Sequence, residues 1–224
     1  MLLYHSSQKN MKHIDITFDF ETVATTANAA PMQLAAVAWD RTALTHPRLI
    51  LDEFHQGIDL RSCVVNGYDF DQQTVDWWTR QKDNPKIALL AEQQDRIGNV
   101  IYNFFNWIED IKATHEATTV CLWCQGADFD IPILKNICEK EHIQMPIGRD
   151  YFCDARSFVL QNAISALRMS TLDLDWMQNP RKIYDWLPPV PQSFGNASDT
   201  HNALFDCRRT TWNVWNIIQR LNAL

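Results

Sequence analysis

Several features of specialised proteins are missing from this chain of 224 residues. No apolar run approaches the roughly 20 residues that span a bilayer, so we expect no membrane association. The first residues lack the basic start and the long apolar core of a secretory signal. The six cysteines are therefore expected to be reduced thiols in a cytoplasmic protein. No internal repeat is present, and this excludes a solenoid.

An excess of positive charge is also missing, since the net charge is −7. Proteins that bind nucleic acid usually carry a basic surface, so this value disfavours such a partner at first. The objection weakens if some of the acids bind metal ions. Two divalent ions would bring the balance to about −3. Net charge alone therefore does not decide the class of partner.

What the chain does contain is typical of one globular domain. Hydrophobic residues make up 46% and charged residues 21%, and nine Trp and eleven Phe supply enough bulk for a core. Disulfides or a structural metal are therefore not required for stability. We expect residues 1–12 to be a leader outside the core and residues 13–224 to form a single domain.

The order of predicted elements indicates an α/β protein. Apolar and polar residues alternate over residues 13–20, which is typical of a half-buried strand. Further strands are predicted at 32–40, 49–58, 118–123 and 150–156, and helices at 74–82, 87–113, 131–141 and 201–221. Four prolines predict a loop over 178–199, ending in an Asp199-Thr200 helix cap.

The first candidate for chemistry lies at the end of the first strand. Asp19 and Glu21 are two residues apart, so both side chains point to the same face. Two carboxylates in that position repel each other unless a cation lies between them, and a divalent ion is the usual cation. In isolation the pair also fits an acidic, solvent-exposed strand end.

Two more acidic groups follow at later strand and helix ends. Asp128 and Asp130 come directly after a buried strand, where α/β sheets place ligands, although either could simply cap the next helix. His201 and Asp206 open the last helix as His-x-Ala-x-x-Asp. Taken alone, a histidine near a helix start is more often solvated than catalytic.

Together the groups resemble the DEDDh-type 3′–5′ exonucleases of the ribonuclease H-like fold, the superfamily of the proofreading exonucleases. The matching segments are Phe18-Asp-Phe-Glu-Thr22, Gly126-Ala-Asp-Phe-Asp-Ile131 and His201-Asn-Ala-Leu-Phe-Asp206. The branch that looks closest contains the phage-type exodeoxyribonucleases and the bacterial exoribonuclease-like domain. Thr74-Val-Asp-Trp-Trp78 and Cys121-Leu-Trp-Cys-Gln-Gly126 also match that branch.

The resemblance implies a fold and a mechanism. The fold is a three-layer arrangement around a mixed five-stranded sheet of order 3-2-1-4-5, with the first three strands antiparallel. The activity is hydrolysis of single-stranded DNA or RNA from the 3′ end, releasing nucleoside 5′-monophosphates. Two Mg²⁺ or Mn²⁺ ions would be held by Asp19, Glu21, Asp130 and Asp206, with His201 as general base. Small relatives are commonly homodimers, so a second copy is a candidate partner.

The resemblance also suggests contacts to the substrate. Phe20 and Thr22 match positions that hold the terminal nucleotide, and Trp78 is the favoured member of a Trp pair that could stack bases or simply pack. Asp130 is preferred over Asp128 because it directly follows an aromatic residue, while Asp128 stays a second candidate. The basic residues nearest the candidate cleft in sequence are Arg156, Arg168, Arg181, Lys182, Arg208 and Arg209.

Three alternatives stay open at this stage. Cys121 and Cys124 have the spacing of a metal or redox pair, but positions i and i+3 on a strand point to opposite faces, which favours packing. A non-catalytic nucleic-acid-binding module would usually lack one of the five motif residues, and all five are present here. An endonuclease of the same fold would share the acids but not usually the His-x-Ala-x-x-Asp segment.

Overall fold

The computed structural model describes residues 12–80, 94–167, 179–196 and 200–223. Its centre is a mixed sheet of six strands in the order β4-β3-β2-β1-β5-β6. The strands are β1 Lys12–Thr22, β2 Pro31–Trp39, β3 Ile50–Ile58, β4 Gln94–Asp95, β5 Ala117–Cys124 and β6 Phe152–Asp154. The first three are antiparallel, and β5 and β6 continue parallel to β1. The predicted order of five strands is therefore confirmed, with one further strand at the edge.

That further strand corrects the predicted helix over 87–113. β4 pairs in parallel with the end of β3, and the Asp59 backbone N–H donates to the Asp95 carbonyl at 2.8 Å. The helix begins only at Ile97, where Arg96 is its N-cap. Helical spacing of apolar residues could not reveal this start, because the pairing partner of residues 94–95 lies far away in sequence. The rest of the segment, 81–93, lies outside the described residues.

In the described part of the chain, six α-helices cover the two faces of the sheet. They are α1 Leu60–Val65, α2 Gln72–Arg80, α3 Ile97–Thr114, α4 Asp130–Lys140, α5 Ala155–Ala166 and α6 Ala203–Asn222. One core packs α3 and α4 against one face, and a second core packs α5 and α6 against the other. The three-layer prediction is thus confirmed. Among the described residues no helix combines the length and the apolar character needed to cross a membrane.

The Pro-rich segment is more ordered than the predicted loop. Residues 180–186 and 192–194 form short 3₁₀ helices, and Ile183 is buried in the second core. Proline is tolerated at Pro180 because the first turn of a helix leaves its N–H groups without intrahelical partners. The predicted loop assumed that proline excludes a helix. That assumption was wrong here, because proline is accepted in the first turn of a helix.

Strand β1 is buried on both faces, not on one face as its alternation predicted. Ile14, Ile16 and Phe18 face the first core. On the other face Thr17 accepts hydrogen bonds from the Trp39 indole at 3.0 Å and from the Thr211 hydroxyl at 2.8 Å. The Thr17 hydroxyl is therefore buried and satisfied by hydrogen bonds from β2 and α6.

A fully buried carboxylate at Asp15 depends on one arginine. Arg41 donates to both carboxylate oxygens of Asp15, at 2.7 and 2.5 Å, and the Trp123 indole donates at 2.7 Å. Burial alone would raise the pKa of Asp15, but hydrogen bonds from His13 and Arg41 hold it below its ordinary value. The charge is thus retained in the core by its partners.

We expect Arg41→Gln to lower the free energy of unfolding by about 2 kcal/mol, because it leaves the Asp15 charge buried without its cation. This is below the range for fully buried pairs because the Arg41 side chain is 38% exposed. Urea denaturation measures the change. Arg61→Gln is the control, since Arg61 is 90% exposed and pairs with Asp59 at the surface. Equal losses in the two variants would contradict the assignment.

Candidate active site

Four carboxylates from three distant parts of the chain meet at the end of β1. Asp19 and Glu21 belong to β1, Asp130 is the first residue of α4, and Asp206 lies in the first turn of α6. Loss of hydration raises the pKa of Asp19 well above its ordinary value, and the charges of Asp130, Glu21 and Asp206 raise it further. The acids that the sequence singled out are therefore close enough to repel one another.

Asp130 is fixed to β1 by the backbone. Its Oδ1 accepts a hydrogen bond from the Phe20 N–H at 3.1 Å, and its side chain is only 2% exposed. Burial raises the pKa of Asp130 to about 7, although the Phe20 hydrogen bond acts in the opposite direction. Asp128, the second candidate in this segment, is exposed. The structure thus brings Asp130 into the acidic cluster and leaves Asp128 at its rim.

The loop between β5 and α4 can approach this cluster because of a glycine. Gly126 has a φ of 113°, in the region that disfavours other residues. A Cβ atom there would lie 3.0 Å from both the Arg156 Nη2 and the Asp128 Oδ1. The close turn that places Asp130 at the start of α4 therefore requires Gly126.

His201 does not lie on the final helix, contrary to the prediction. Its φ is 64°, and α6 begins at Ala203 with Asn202 as the N-cap, whose side chain accepts from the Phe205 N–H at 3.2 Å. The His201 N–H donates instead to Asp206 Oδ2 at 3.1 Å. The predicted cap at Thr200 lies two residues before the observed cap, and Asp199 lies outside the described residues. Asparagine at this position competes as a cap because its oxygen can accept from the helix backbone.

This turn brings His201 to the acids. The ligating atoms of Glu21, His201 and Asp206 all lie within 4.8 Å of one another. Asp19 and Asp130 are outside this set of three but adjoin it, since their charges act on the same carboxylates. The arrangement thus offers three donor groups at one point and two more carboxylates beside it.

The cluster carries more negative charge than its protein partners balance. Burial raises the pKa of Glu21 to about 8, and the charges of Asp206 and Asp130 add to this shift. Arg209 is the nearest opposing charge, pairing with Asp206 Oδ1 at 2.8 Å and lowering the pKa of Glu21. Oxygen-rich sites with surplus negative charge are those that hard divalent cations occupy. These residues therefore fit a Mg²⁺ or Mn²⁺ site.

The predicted substrate contacts differ in how much surface they expose. The Phe20 ring is 3% exposed and packs edge-on against Phe18, so little of it is left for a nucleotide. Thr22 is buried as well, with its hydroxyl donating to the Ala24 carbonyl at 2.6 Å. The structure thus gives both side chains partners inside the protein.

Trp78 and Trp77 lie at the border of the acidic cluster. The Trp78 indole N–H donates to the Thr22 carbonyl at 2.9 Å, which fixes α2 against the end of β1. Trp77 contacts the His201 ring edge-on, with 4.7 Å between ring centroids. Trp78 is farther from His201, at 6.4 Å. Both rings are half-buried, so each also offers exposed surface.

Gln33 is a site residue that sequence reasoning missed. It is buried on β2 opposite Glu21, and its Oε1 accepts from the Ala203 N–H at 3.0 Å. Its amide nitrogen contacts His55 on β3. Gln33 therefore fixes the start of α6 against the sheet. A glutamine in an otherwise apolar strand was the available signal, but its partner lies 170 residues away.

The cysteine pair behaves as its spacing predicted. Cys121 borders the second core and Cys124 is buried in the first, so the two thiols lie on opposite faces of β5. Burial raises the pKa of the Cys124 thiol above its ordinary value. They do not form a shared metal or redox site.

Comparison with known proteins agrees with this geometry. An exodeoxyribonuclease of enterobacteria phage T4 is 26% identical over 127 residues, which is 55% of this chain and 55% of the phage protein. The chain thus matches only about half the length of that relative.

Solved structures share the fold at low identity. Cell-death related nuclease 4 (CRN-4) aligns with a TM-score of 0.54 at 20% identity, covering 94% of this chain and 64% of that protein. The nuclease domain of 3′hExo, a DEDDh family member solved with bound rAMP, gives a TM-score of 0.54 at 13% identity, over 94% of this chain and 92% of that domain. The E. coli ExoI–ssDNA complex gives 0.52 at 14% identity, over 90% of this chain and 39% of ExoI.

A family model also matches most of the chain. Residues 14–217 match the family described as the 3′-5′ exoribonuclease Rv2179c-like domain, a range that includes all four acids and His201. The resemblance to DEDDh-type 3′–5′ exonucleases is confirmed, and the chain belongs to the family of the 3′-5′ exoribonuclease Rv2179c-like domain.

Proposed function

We propose that this protein is a metal-dependent 3′–5′ exonuclease that removes nucleoside 5′-monophosphates from single-stranded DNA or RNA. The observation that carries this proposal is the meeting of Asp19, Glu21, Asp130 and Asp206 beside His201. Both sugar types stay in the proposal, because the family description names an exoribonuclease and the phage relative an exodeoxyribonuclease.

The acidic cluster would hold the metal. Glu21 and Asp206 offer carboxylate oxygens within 4.8 Å of each other, and Asp19 and Asp130 complete a set that fits two ions. Two divalent ions would supply positive charge to the attacking and leaving oxygens of an in-line displacement. Burial raises the pKa values of Glu21 and Asp130, and a bound divalent cation would oppose this by stabilising the ionised carboxylates.

His201 would accept the proton of the attacking water. The Asp206 carboxylate holds its backbone through the N–H at 3.1 Å, and the Trp77 ring packs against its imidazole. These contacts fix the ring beside the acids, while the side chain stays exposed and can exchange the proton with solvent. A histidine suits this task because it titrates near neutral pH.

A digestion with three labelled substrates tests the activity. We expect 5′-labelled single-stranded DNA or RNA to shorten stepwise from the 3′ end with Mg²⁺ or Mn²⁺ and to stay intact with EDTA. A duplex oligonucleotide shows whether a free single-stranded end is required. Circular single-stranded DNA is the control for an endonuclease, since an exonuclease cannot start on it. Cleavage of the circle would contradict the proposal, and binding without cleavage of any substrate would favour a non-catalytic module.

A further inference from the structure

A cavity of about 680 Å³ lies beside the acidic cluster, on the α5 and α6 side of the sheet. Its wall comes from the end of β5, from α5 and α6 and from the turn at 180–186. Three arginines line it, namely Arg156, Arg181 and Arg209, together with the polar side chains of Gln125, Tyr184 and Thr210. We call this cavity the arginine pocket. Its volume is in the range of pockets that hold whole small ligands rather than a single ion.

The chemistry of the wall favours an anion. No carboxylate is among the residues that line the pocket in the described part of the chain. The nearby acids have other contacts: Asp206 pairs with Arg209, and Asp154 caps α5 by accepting from the Ser157 N–H at 3.1 Å. Three guanidinium groups facing one space repel one another, so an anion there would be stabilised by all three.

The neutral groups of the wall are arranged as hydrogen-bonding partners. The Gln125 amide donates to the Tyr184 hydroxyl at 2.9 Å, and the Arg156 Nη2 donates to the Gln125 carbonyl at 2.9 Å. Burial raises the pKa of Tyr184 above its ordinary value, so its hydroxyl keeps its proton and can donate to an oxygen anion. These contacts fix Gln125, Arg156 and Tyr184 relative to one another before any ligand arrives.

The position of the pocket relative to the acids indicates the ligand. Arg209 lines the pocket and also pairs with Asp206 at 2.8 Å, so the two sites share a boundary. His201 and Trp77 adjoin the acidic cluster through other contacts. The acids therefore adjoin both an aromatic surface suited to a base and a basic cavity suited to phosphate.

We propose that the arginine pocket binds backbone phosphate on the 5′ side of the bond that is cut, so that it holds the strand and not the departing nucleotide. This inference rests on the proposed function. With the terminal base beside Trp77 and its phosphate at the acids, the strand continues toward Arg209, Arg156 and Arg181. The pocket then binds the backbone of the next nucleotides of the strand, whatever their bases.

Arg181→Ala is the sharpest test, because Arg181 is exposed and its substitution leaves the core intact. The substrates are a single-stranded decanucleotide and the p-nitrophenyl ester of thymidine 5′-monophosphate, which has no phosphate on the 5′ side. We expect KM for the decanucleotide to rise roughly five- to tenfold with kcat unchanged, and the kinetics of the ester to stay the same. The slope of log affinity against log salt should fall by about 0.7, one phosphate contact on a single strand. Arg181→Lys should restore most of this slope, because it keeps the charge.

Arg61→Ala is the matched control, an exposed arginine on α1 that pairs with Asp59. Equal KM and equal salt slope in Arg61→Ala and Arg181→Ala would overturn the proposal. An equal rise in KM for the ester and the decanucleotide would also overturn it, since the pocket would then bind the terminal nucleotide. Fluorescence anisotropy of the labelled decanucleotide in EDTA measures binding without hydrolysis. Thymidine 5′-monophosphate, added as competitor, represents the terminal nucleotide alone. Arg181→Ala should weaken binding of the decanucleotide and leave binding of the competitor unchanged. If the protein hydrolyses no substrate but Arg181→Ala still weakens binding of the decanucleotide, the proposed exonuclease activity is refuted and the proposed phosphate-binding role of the arginine pocket is supported.

Discussion

Replacing Asp19 by Asn should abolish hydrolysis and at the same time stabilise the metal-free protein. We expect kcat to fall by at least about 1000-fold, or about 4 kcal/mol of transition-state stabilisation, because a neutral amide is a poor ligand for a divalent ion. The stability should rise because the substitution removes one of four carboxylates that repel one another at the end of β1. Most substitutions lower stability, so a gain in stability together with a loss of activity indicates a functional site whose charges repel one another.

Two measurements on the same variant check this prediction. Digestion of labelled single-stranded DNA gives the rate, and thermal unfolding in EDTA gives the melting temperature. We expect an increase of about 3–5 °C, which corresponds to about 1–2 kcal/mol in a chain of this size. The melting temperature of the variant should also respond less to added Mg²⁺ than that of the unaltered protein.

Asp128→Asn is the matched control. It removes an acid from the same border of the site, but its side chain is exposed and lies outside the buried cluster. We expect little change in rate and no increase in melting temperature. If Asp128→Asn lost as much activity as Asp19→Asn, the choice of Asp130 within its segment would be wrong. Full activity of Asp19→Asn would refute the proposed mechanism as a whole.

The second prediction with a large effect is that the stability of the metal-free protein depends on pH. Bound metal should remove this dependence. In EDTA the melting temperature should fall as the pH rises from about 5 to about 8. The pKa of Glu21 is about 8 and that of Asp130 about 7 in the folded protein, above their ordinary values of 4.5 and 3.8. Groups with a raised pKa contribute stability that is fully present below the ordinary value and is lost as the pH rises through the folded value.

Two histidines act in the same pH range and must be separated from the acids. The pKa of His13 is raised to about 9, mainly by a hydrogen bond to Asp15, so its contribution is lost only as the pH rises above 6.5 toward 9. Burial lowers the pKa of His55, and stability is therefore lost as the pH falls below 6.5. Asp15, whose pKa is lowered, contributes fully above its ordinary value of 3.8. Glu21→Gln leaves these three groups in place, so that variant separates their contributions from that of Glu21.

Thermal unfolding at pH 5, 6, 7 and 8, in EDTA and in saturating Mg²⁺ or Mn²⁺, measures the effect. Metal binds the ionised carboxylates and not the protonated ones, so it should stabilise most at pH 8 and least at pH 5. Glu21→Gln should flatten the curve in EDTA, because it removes one of the groups whose pKa is raised. An unchanged slope in Glu21→Gln would show that the pH dependence arises elsewhere in the molecule.

Local patterns determined much of this protein in advance. Alternation along β1 placed Asp19 and Glu21 on one face, and the order of the acidic motifs indicated both the family and the fold. Five strands and their order followed from that resemblance and agree with the sheet. These features depend on residues a few positions apart or on short ordered motifs, so they can be recognised without knowledge of distant contacts.

Other features were decided by contacts between distant segments. The buried polar face of β1 depends on Thr211, the start of α6 on Gln33, and β4 on pairing with β3. His201 lies outside the helix because Asn202 provides the cap and Asp206 binds its N–H.

The sequence by itself therefore singled out the four acids and the histidine that meet at the end of β1, because a strand period and a motif order are local properties. Only the tertiary structure decided that Asp130 is buried while Asp128 is exposed, and that arginines 156, 181 and 209 line one cavity. The burial of a side chain and the electrostatic potential around it depend on the sum of contributions from all its neighbours, which here come from β1, β5, α5 and α6. That sum exists only once the sheet register and the helix positions are fixed.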